Sequence, residues 1–237
     1  MNSPNPSPKN MYPLSVKQWN PFVGCSHNCT YCESSFQRQL KRWAKQNCQQ
    51  CYDFIPHFHS ERLTDPLPKT NGREFIFVAA NGDWAFALPE WREAILGRIR
   101  AEPDKTFLIQ SKNPYVFFQS HFPSNVILGT TIETDREDII QDISKAPKPV
   151  DRQYCMYRLS HKRKMVTYEP ILDFNIDRLI EYTNAIKPEM VWVGYDSKHN
   201  YLPEPELART RIFIEELRTQ GYFVVEKLLR KAWWEQS

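Results

Sequence analysis

Three cysteines crowd into eight residues of the stretch WNPFVGCSHNCTYCESS (19–35): Cys25, Cys29 and Cys32, spaced C-x3-C-x2-C. Three thiolates from one short loop can hold three irons of a [4Fe–4S] cluster and leave the fourth open, because such clusters are normally held by cysteine thiolates. Zinc is the competing reading, but a closed structural zinc site takes four protein ligands, usually delivered in paired C-x2-C or C-x4-C units. The spacing here makes a tripod more readily than half a tetrahedron. His27, inside the tripod, is expected to face solvent or a neighbouring group rather than iron. A second string, NCQQCYDFIPHFH, offers Cys48, Cys51, His57 and His59 as C-x2-C-x5-H-x-H. Those four could make a structural zinc site. Alternatively, Cys48 and Cys51 join the distant Cys155 around an auxiliary iron–sulfur cluster or act as a redox pair. A third reading leaves these thiols uninvolved, packed as small hydrophobes.

The elements that must position these groups are legible as apolar runs. EFIFVAA (74–80), TFLIQSK (106–112), NVILGTTIE (125–133), KMVTYEP (164–170), EMVWVGYD (189–196) and YFVVEKL (222–228) carry few alternating polar residues. That is the pattern of strands buried on both faces, as in a parallel sheet. A further short strand is expected within LSVKQWNPF (14–22), just before the cysteines. Amphipathic segments lie between them. Phe36, Leu40 and Trp43 recur at helical spacing, as do Trp91, Ile95 and Ile99 after Pro89, which suits a first helical turn. Ile139, Ile140 and Ile143 follow TDRED; Leu179, Ile180 and Ile186 follow FNID; Leu207, Ile214 and Leu217 precede Gly221, a helix stop. Strand and helix alternate about six times, which predicts an α/β fold, a partial (β/α)6-type parallel barrel. Residues 1–13 read as a disordered tail and 14–237 as one domain.

Each run ends in groups able to bind or react: Asn81 and Asp83; Gln110, Ser111 and Lys112; Thr131 and Glu133; Tyr168 and Glu169; Tyr195 and Asp196; Glu226 and Lys227. In a parallel β/α barrel the carboxyl ends of the strands line the mouth of the active site. Lys112, Glu169, Asp196 and Lys227 are therefore candidates for substrate contact, although they could as well pair with one another. Trp233 and Trp234 could cover the open end of the barrel or pack on a helix.

Composition sets the outer bounds. The chain has 237 residues, 41% of them apolar, enough for one sizeable core, and its formal net charge of +3 does not by itself argue for nucleic acid. The basic run RLSHKRK (158–164) is either a solvated loop or a phosphate-binding patch. The opening MNSPNPSPKN lacks the apolar core of a secretory signal, and no stretch approaches the run of about 20 apolar residues of a membrane span. A cytoplasmic, reducing location without a membrane partner is expected. There, clustered cysteines bind metal or do chemistry more often than they form disulfides.

CSHNCTYC has the C-x3-C-x-aromatic-C form of the radical S-adenosylmethionine (radical SAM) superfamily, with Tyr31 as the aromatic residue. WNPF before the cysteines, HSERLTDPL, FVAANGD, QSKNP, LGTTIE, TYEPIL and WVGYDS resemble a compact phage-associated branch of that superfamily whose function is unassigned. The resemblance implies a partial β/α barrel with a [4Fe–4S] cluster on Cys25, Cys29 and Cys32. It implies that S-adenosylmethionine (SAM) chelates the open iron and is cleaved reductively to a 5′-deoxyadenosyl radical that abstracts hydrogen from a substrate. It implies an external one-electron reductant such as flavodoxin or ferredoxin. Tyr31 and the turn Asn81, Gly82 and Asp83 then fall where the superfamily contacts SAM. The turn departs from the usual two glycines and glutamate. Thr131 and Glu133 would meet the ribose or carboxylate, and Gly194 would admit the adenine. Two other classes remain open: a relative that modifies or repairs nucleic acid by the same chemistry, and a non-catalytic protein that keeps the barrel and a zinc ion.

Overall fold

The computed structural model describes residues 12–33, 37–45, 47–198 and 200–236. Strand β1 (Ser15–Trp19) is followed by a two-residue strand, β2 (Phe22–Val23), which pairs antiparallel with β3 (His57–Phe58). The remaining strands are β4 (Phe75–Val78), β5 (Phe107–Gln110), β6 (Val126–Thr131), β7 (Lys164–Tyr168), β8 (Met190–Val193) and β9 (Val224–Glu226). Seven of them form one all-parallel sheet in the order β1-β4-β5-β6-β7-β8-β9, curled into a half-barrel. All seven expected strands are present. Strands β4, β6, β7 and β8 are buried along their whole length, as their unbroken apolar runs require, while the edge strand β1 is partly exposed.

Side chains alternate between two cores, because successive residues of a strand face opposite sides of the sheet. Outward, Ile76, Val78, Phe107, Ile109, Val126, Leu128, Val166, Val191 and Val193 pack under the helices. Inward, Phe75, Phe77, Leu108, Ile127, Met165, Met190 and Trp192 fill the base of the half-barrel around Tyr12, which is fully buried. The first eleven residues of the expected tail lie outside the described residues. Tyr12 itself belongs to the core, so the folded part starts before residue 14.

Helix α4 (Pro89–Arg100) begins on its proline and buries Ile95 and Ile99. Helix α7 (Ile176–Ile186) starts at Asn175, whose side chain accepts from the Arg178 amide, and buries Leu179 and Ile186. Helix α8 (Leu207–Thr219) buries Ile214 and Leu217 and ends before Gly221, whose φ of +88° is easy only for glycine. Helix α2 (Arg38–Ala44) buries Leu40; Phe36 lies outside the described residues. Two findings depart from the sequence reading. The segment with Ile139, Ile140 and Ile143 is helical only over α5 (Glu137–Ile140), and a helix not anticipated, α6 (Pro149–Arg158), follows it.

Candidate functional site

Period-2 alternation carries the inward-facing series past the apolar base and into polar residues: Leu108 to Gln110 and Lys112, Ile127 to Thr131, Met165 to Thr167 and Glu169, Val225 to Lys227. The ends of the strands thus frame a cavity of about 850 Å³. Asn81, Gly82, Asp83, Gln110, Lys112, Thr131, Glu169, Asp196 and Lys227 all line it, and so do Cys25, Cys29 and Cys32. The tripod follows β2, and its last turn is the short helix α1 (Thr30–Cys32).

The cysteine loop is clamped from two sides. On one, Gly24 forms a parallel bridge with Gly82: its amide donates to Asn81 O (3.0 Å), and its carbonyl accepts from the Asp83 amide (3.2 Å). On the other, the segment after α5 pairs with the loop, Thr30 N donating to Ile143 O (2.9 Å) and Lys145 N to His27 O (2.8 Å). The α5 helix stops early because its continuation serves this pairing. Ser144 Oγ, which accepts from the Ala146 amide, stands 3.0 Å from Cys29 Sγ. Hydrogen bonding with Cys32 lowers the Cys29 thiol to about 5, against its burial and helped by Lys112. The same bond and burial push Cys32 up, while burial and the Asp83 charge push up Cys25.

Glu133 is fully buried below the loop and does not reach the cavity. Its Oε1 accepts from Tyr31 Oη (2.5 Å) and from Lys112 Nζ, and its Oε2 accepts from Arg152 (2.6 Å). Lys112 Nζ also donates to Tyr31 Oη (2.6 Å). Burial alone would raise the Glu133 carboxyl, but Arg152 and Lys112 hold it down at about 2. Burial likewise opposes the charge on Lys112, and Glu133 together with Cys29 and Cys32 more than reverses it. Tyr31 and Glu133 tie the tripod to the sheet; of these two expected SAM contacts, Tyr31 also lines the cavity and Glu133 does not. Arg152, on α6, is fully buried and also donates to Thr131 O (2.9 Å) and Pro147 O (2.6 Å). Sequence reasoning missed it. The helix PVDRQYCMYR has no clean apolar stripe, and the proline at its first position was the only signal.

Asp83 is also a structural hub. It accepts from Ser111 Oγ (2.5 Å), Ala85 N (2.9 Å) and Lys112 N (2.7 Å). His27 Nε2 lies 3.2 Å from its Oδ2, at ion-pair distance but outside hydrogen-bond geometry. His27 is buried and packs edge-on against Phe86, so it faces a neighbour rather than solvent. Asp196, which lines the cavity, also accepts from Lys198 N (3.2 Å) and Asn200 N (2.8 Å) of its own loop. Lys227 Nζ donates to both oxygens of Glu169 at 2.6 Å, and burial raises the Glu169 carboxyl even against that partner. Gly194 does not line the cavity, and a Cβ there would come within 2.9 Å of Lys227 Cβ on the neighbouring chain segment.

The other candidates separate. Cys48, Cys51, His57 and His59 bring one ligand atom each to within 4.8 Å of one another. Cys155 lies on α6, outside that group. Part of the basic run has structural partners, and the run lies at the amino end of β7, opposite the cavity. Lys164 Nζ donates to Met156 O (2.7 Å), Arg163 pairs with Glu189 (2.9 Å), and His161 Nε2 lies 2.7 Å from Val126 O. Trp233 and Trp234 donate to Leu202 O (2.7 Å) and Glu204 O (2.9 Å) and do not line the cavity. Among the described residues no helix is long and apolar enough to cross a membrane.

Comparison with known proteins gives a family and a set of similar folds. The model of a family described as Protein of unknown function (DUF5131) matches residues 14–179. The chain is similar in structure to SuiB of Streptococcus suis bound to S-adenosylmethionine (TM-score 0.52, 11% identity, 90% of this chain and 50% of that one). It is also similar to a radical SAM methyltransferase from Sphaerobacter thermophilus (TM-score 0.56, 13% identity, 92% of this chain and 67% of that one). The chain spans about half the length of SuiB, and at these identities the likeness is one of fold. No curated protein matches it.

Proposed function

The chain belongs to the DUF5131 family, and from the site it carries we propose that it is a radical SAM enzyme. One observation carries this reading. The three sulfurs of a C-x3-C-x2-C loop open on a large cavity at the carboxyl end of a parallel half-barrel, and the similar folds include radical SAM enzymes. The donor set fits a site-differentiated [4Fe–4S] cluster. It is all thiol, supplied by one loop, and the Ser144 hydroxyl and the His27 amide (3.5 Å from Cys25 Sγ) stand beside the sulfurs. Cys25, Cys29 and Cys32 would hold the cluster, with SAM as the fourth partner. When bound, the pair supplies reductive cleavage of the sulfonium and a 5′-deoxyadenosyl radical for hydrogen abstraction.

The chain's own residues do the positioning. Arg152 and Lys112 fix Glu133, Glu133 fixes Tyr31, and Tyr31 holds the turn between Cys29 and Cys32. Asn81, Gly82 and Thr131 would meet SAM along the wall, with Tyr31 beside them, while Lys112 and the Glu169–Lys227 pair present charge to a substrate. An acidic one-electron carrier would dock beside the loop: Arg38, Lys41, Arg42 and Lys45 line a surface groove that also includes Thr30. The test is electron paramagnetic resonance of the anaerobically reconstituted, dithionite-reduced protein. A [4Fe–4S]⁺ signal that changes on adding SAM supports the reading; a cluster signal indifferent to SAM contradicts it.

A further inference from the structure

We propose that Cys48, Cys51, His57 and His59 form a tetrahedral zinc site, separate from the tripod, that braces the cysteine loop. Cys48 precedes the single helical turn α3 (Gln49–Tyr52), and Cys51 lies within it. His57 opens β3. Zinc fingers usually deliver histidines as H-x3–5-H from a helix. Here they come as H-x-H from an extended segment, where residues two apart share a face, so the spacing is the one an extended chain requires.

The ligand atoms converge. Cys51 Sγ lies 3.2 Å from His57 Nε2 and 3.3 Å from His59 Nε2, Cys48 Sγ lies 3.4 and 4.0 Å from the same atoms, and the two Nε2 atoms are 2.8 Å apart. With Zn–S of about 2.3 Å and Zn–N of about 2.0 Å, a tetrahedron has sulfur–nitrogen edges of about 3.5 Å. The other ring nitrogens decide what those Nε2 atoms carry. His57 Nδ1 is 2.6 Å from Ile55 O, and His59 Nδ1 is 2.8 Å from the carboxylate of Glu61. Both partners only accept, so both Nδ1 atoms carry the proton. In the neutral rings each Nε2 then turns a bare lone pair toward the other and toward the two sulfurs. A carbonyl or carboxylate behind each imidazole is the arrangement that orients metal-bound histidine. The sulfurs are joined as a disulfide in the structure, and that oxidised pair is the competing state. It would leave the two lone pairs opposed with no cation between them.

The site abuts the tripod. Val23, directly before Gly24, pairs with His57. A Cβ on Gly24 would meet Pro56 N at 2.4 Å, and Cys51 packs in one apolar cluster with Val23, Leu40 and Cys25. Zinc would therefore fix the far wall of the loop that carries Cys25.

The test is elemental analysis of the full chain purified without chelators, alongside H59A and C48S/C51S variants and a C25A/C29A/C32A variant. The proposal expects about one zinc per chain in the wild type and the tripod variant, with at least a tenfold loss in H59A and C48S/C51S. Co²⁺ added to metal-stripped protein should give the visible absorption of tetrahedral thiolate cobalt, absent in C48S/C51S. If C48S/C51S does not fold, H59A, which alters a half-buried ligand, decides. Zinc that follows the tripod instead of His59 overturns the proposal. So does zinc-free protein in which four of the six cysteines titrate as thiols without reductant. Loss of the radical chemistry would leave this result untouched.

Discussion

Glu133 is held ionised in a buried pocket, so its contribution to stability must fade in acid. Burial opposes the charge, yet Arg152 and Lys112 bring the carboxyl to about 2, from an ordinary value of 4.5. A folded pKa below the unfolded one adds stability that is complete above the unfolded value and is lost as pH falls through the folded one. At about 1.36 kcal/mol per pH unit, the difference is worth about 3 kcal/mol at pH 7. Nearly all of it persists at pH 5, and about 2 kcal/mol is gone at pH 3. Glu133→Gln removes this titration and leaves Arg152 facing an amide. Breaking a buried pair on one side costs about 3–5 kcal/mol, or about 6–20 °C in Tm for a chain of this size. Urea denaturation of cluster-free protein in reducing buffer, wild type beside E133Q at pH 7, 5 and 3, reads both quantities. The stability gap should be wide at pH 7 and 5 and narrow by about 2 kcal/mol at pH 3. A gap that is constant over this range would refute the ionised, Arg152-paired Glu133.

Two further outcomes follow from the clamp around the loop and from its surface. Gly24→Ala sets a Cβ within 2.6 Å of the Ile55–Pro56 backbone at a φ of +110°; iron bound on reconstitution should drop several-fold, measured against protein concentration, while the half-barrel's circular dichroism is retained. Reversing charge at Lys41 and Arg42 should slow reduction by flavodoxin about tenfold or more at low salt, with dithionite reduction unchanged, as stopped-flow absorbance would show.

The half-barrel was legible because a strand buried on both faces cannot hide: VIL at the start of β6 and MVWV have no polar side to lose, and both strands are buried throughout. The polar strand ends were legible for the same reason, since a charged residue directly after such a run has to face a cavity or a partner. What could not be read was which. Lys112, Glu169 and Lys227 line the cavity, whereas Glu133, only two residues beyond β6, turns under the loop because Arg152 waits there. Arg152 is 19 residues farther along, on a helix whose sequence is mostly polar. Pairings of that kind depend on how a helix docks, which local patterning does not encode. Asp83 shows the same limit: the turn was recognised, but its hydrogen bonds from Ser111 and the Lys112 amide come from the residues just after β5.

The central claim is that the tripod serves SAM cleavage, and 5′-deoxyadenosine formation tests it most directly. Anaerobically reconstituted protein, given dithionite and SAM, is followed by mass spectrometry beside a Cys29→Ala variant. The account predicts the nucleoside from the wild type and none above background from the variant. Equal, background-level formation in both, from wild-type protein that holds a full cluster and binds SAM, would contradict it.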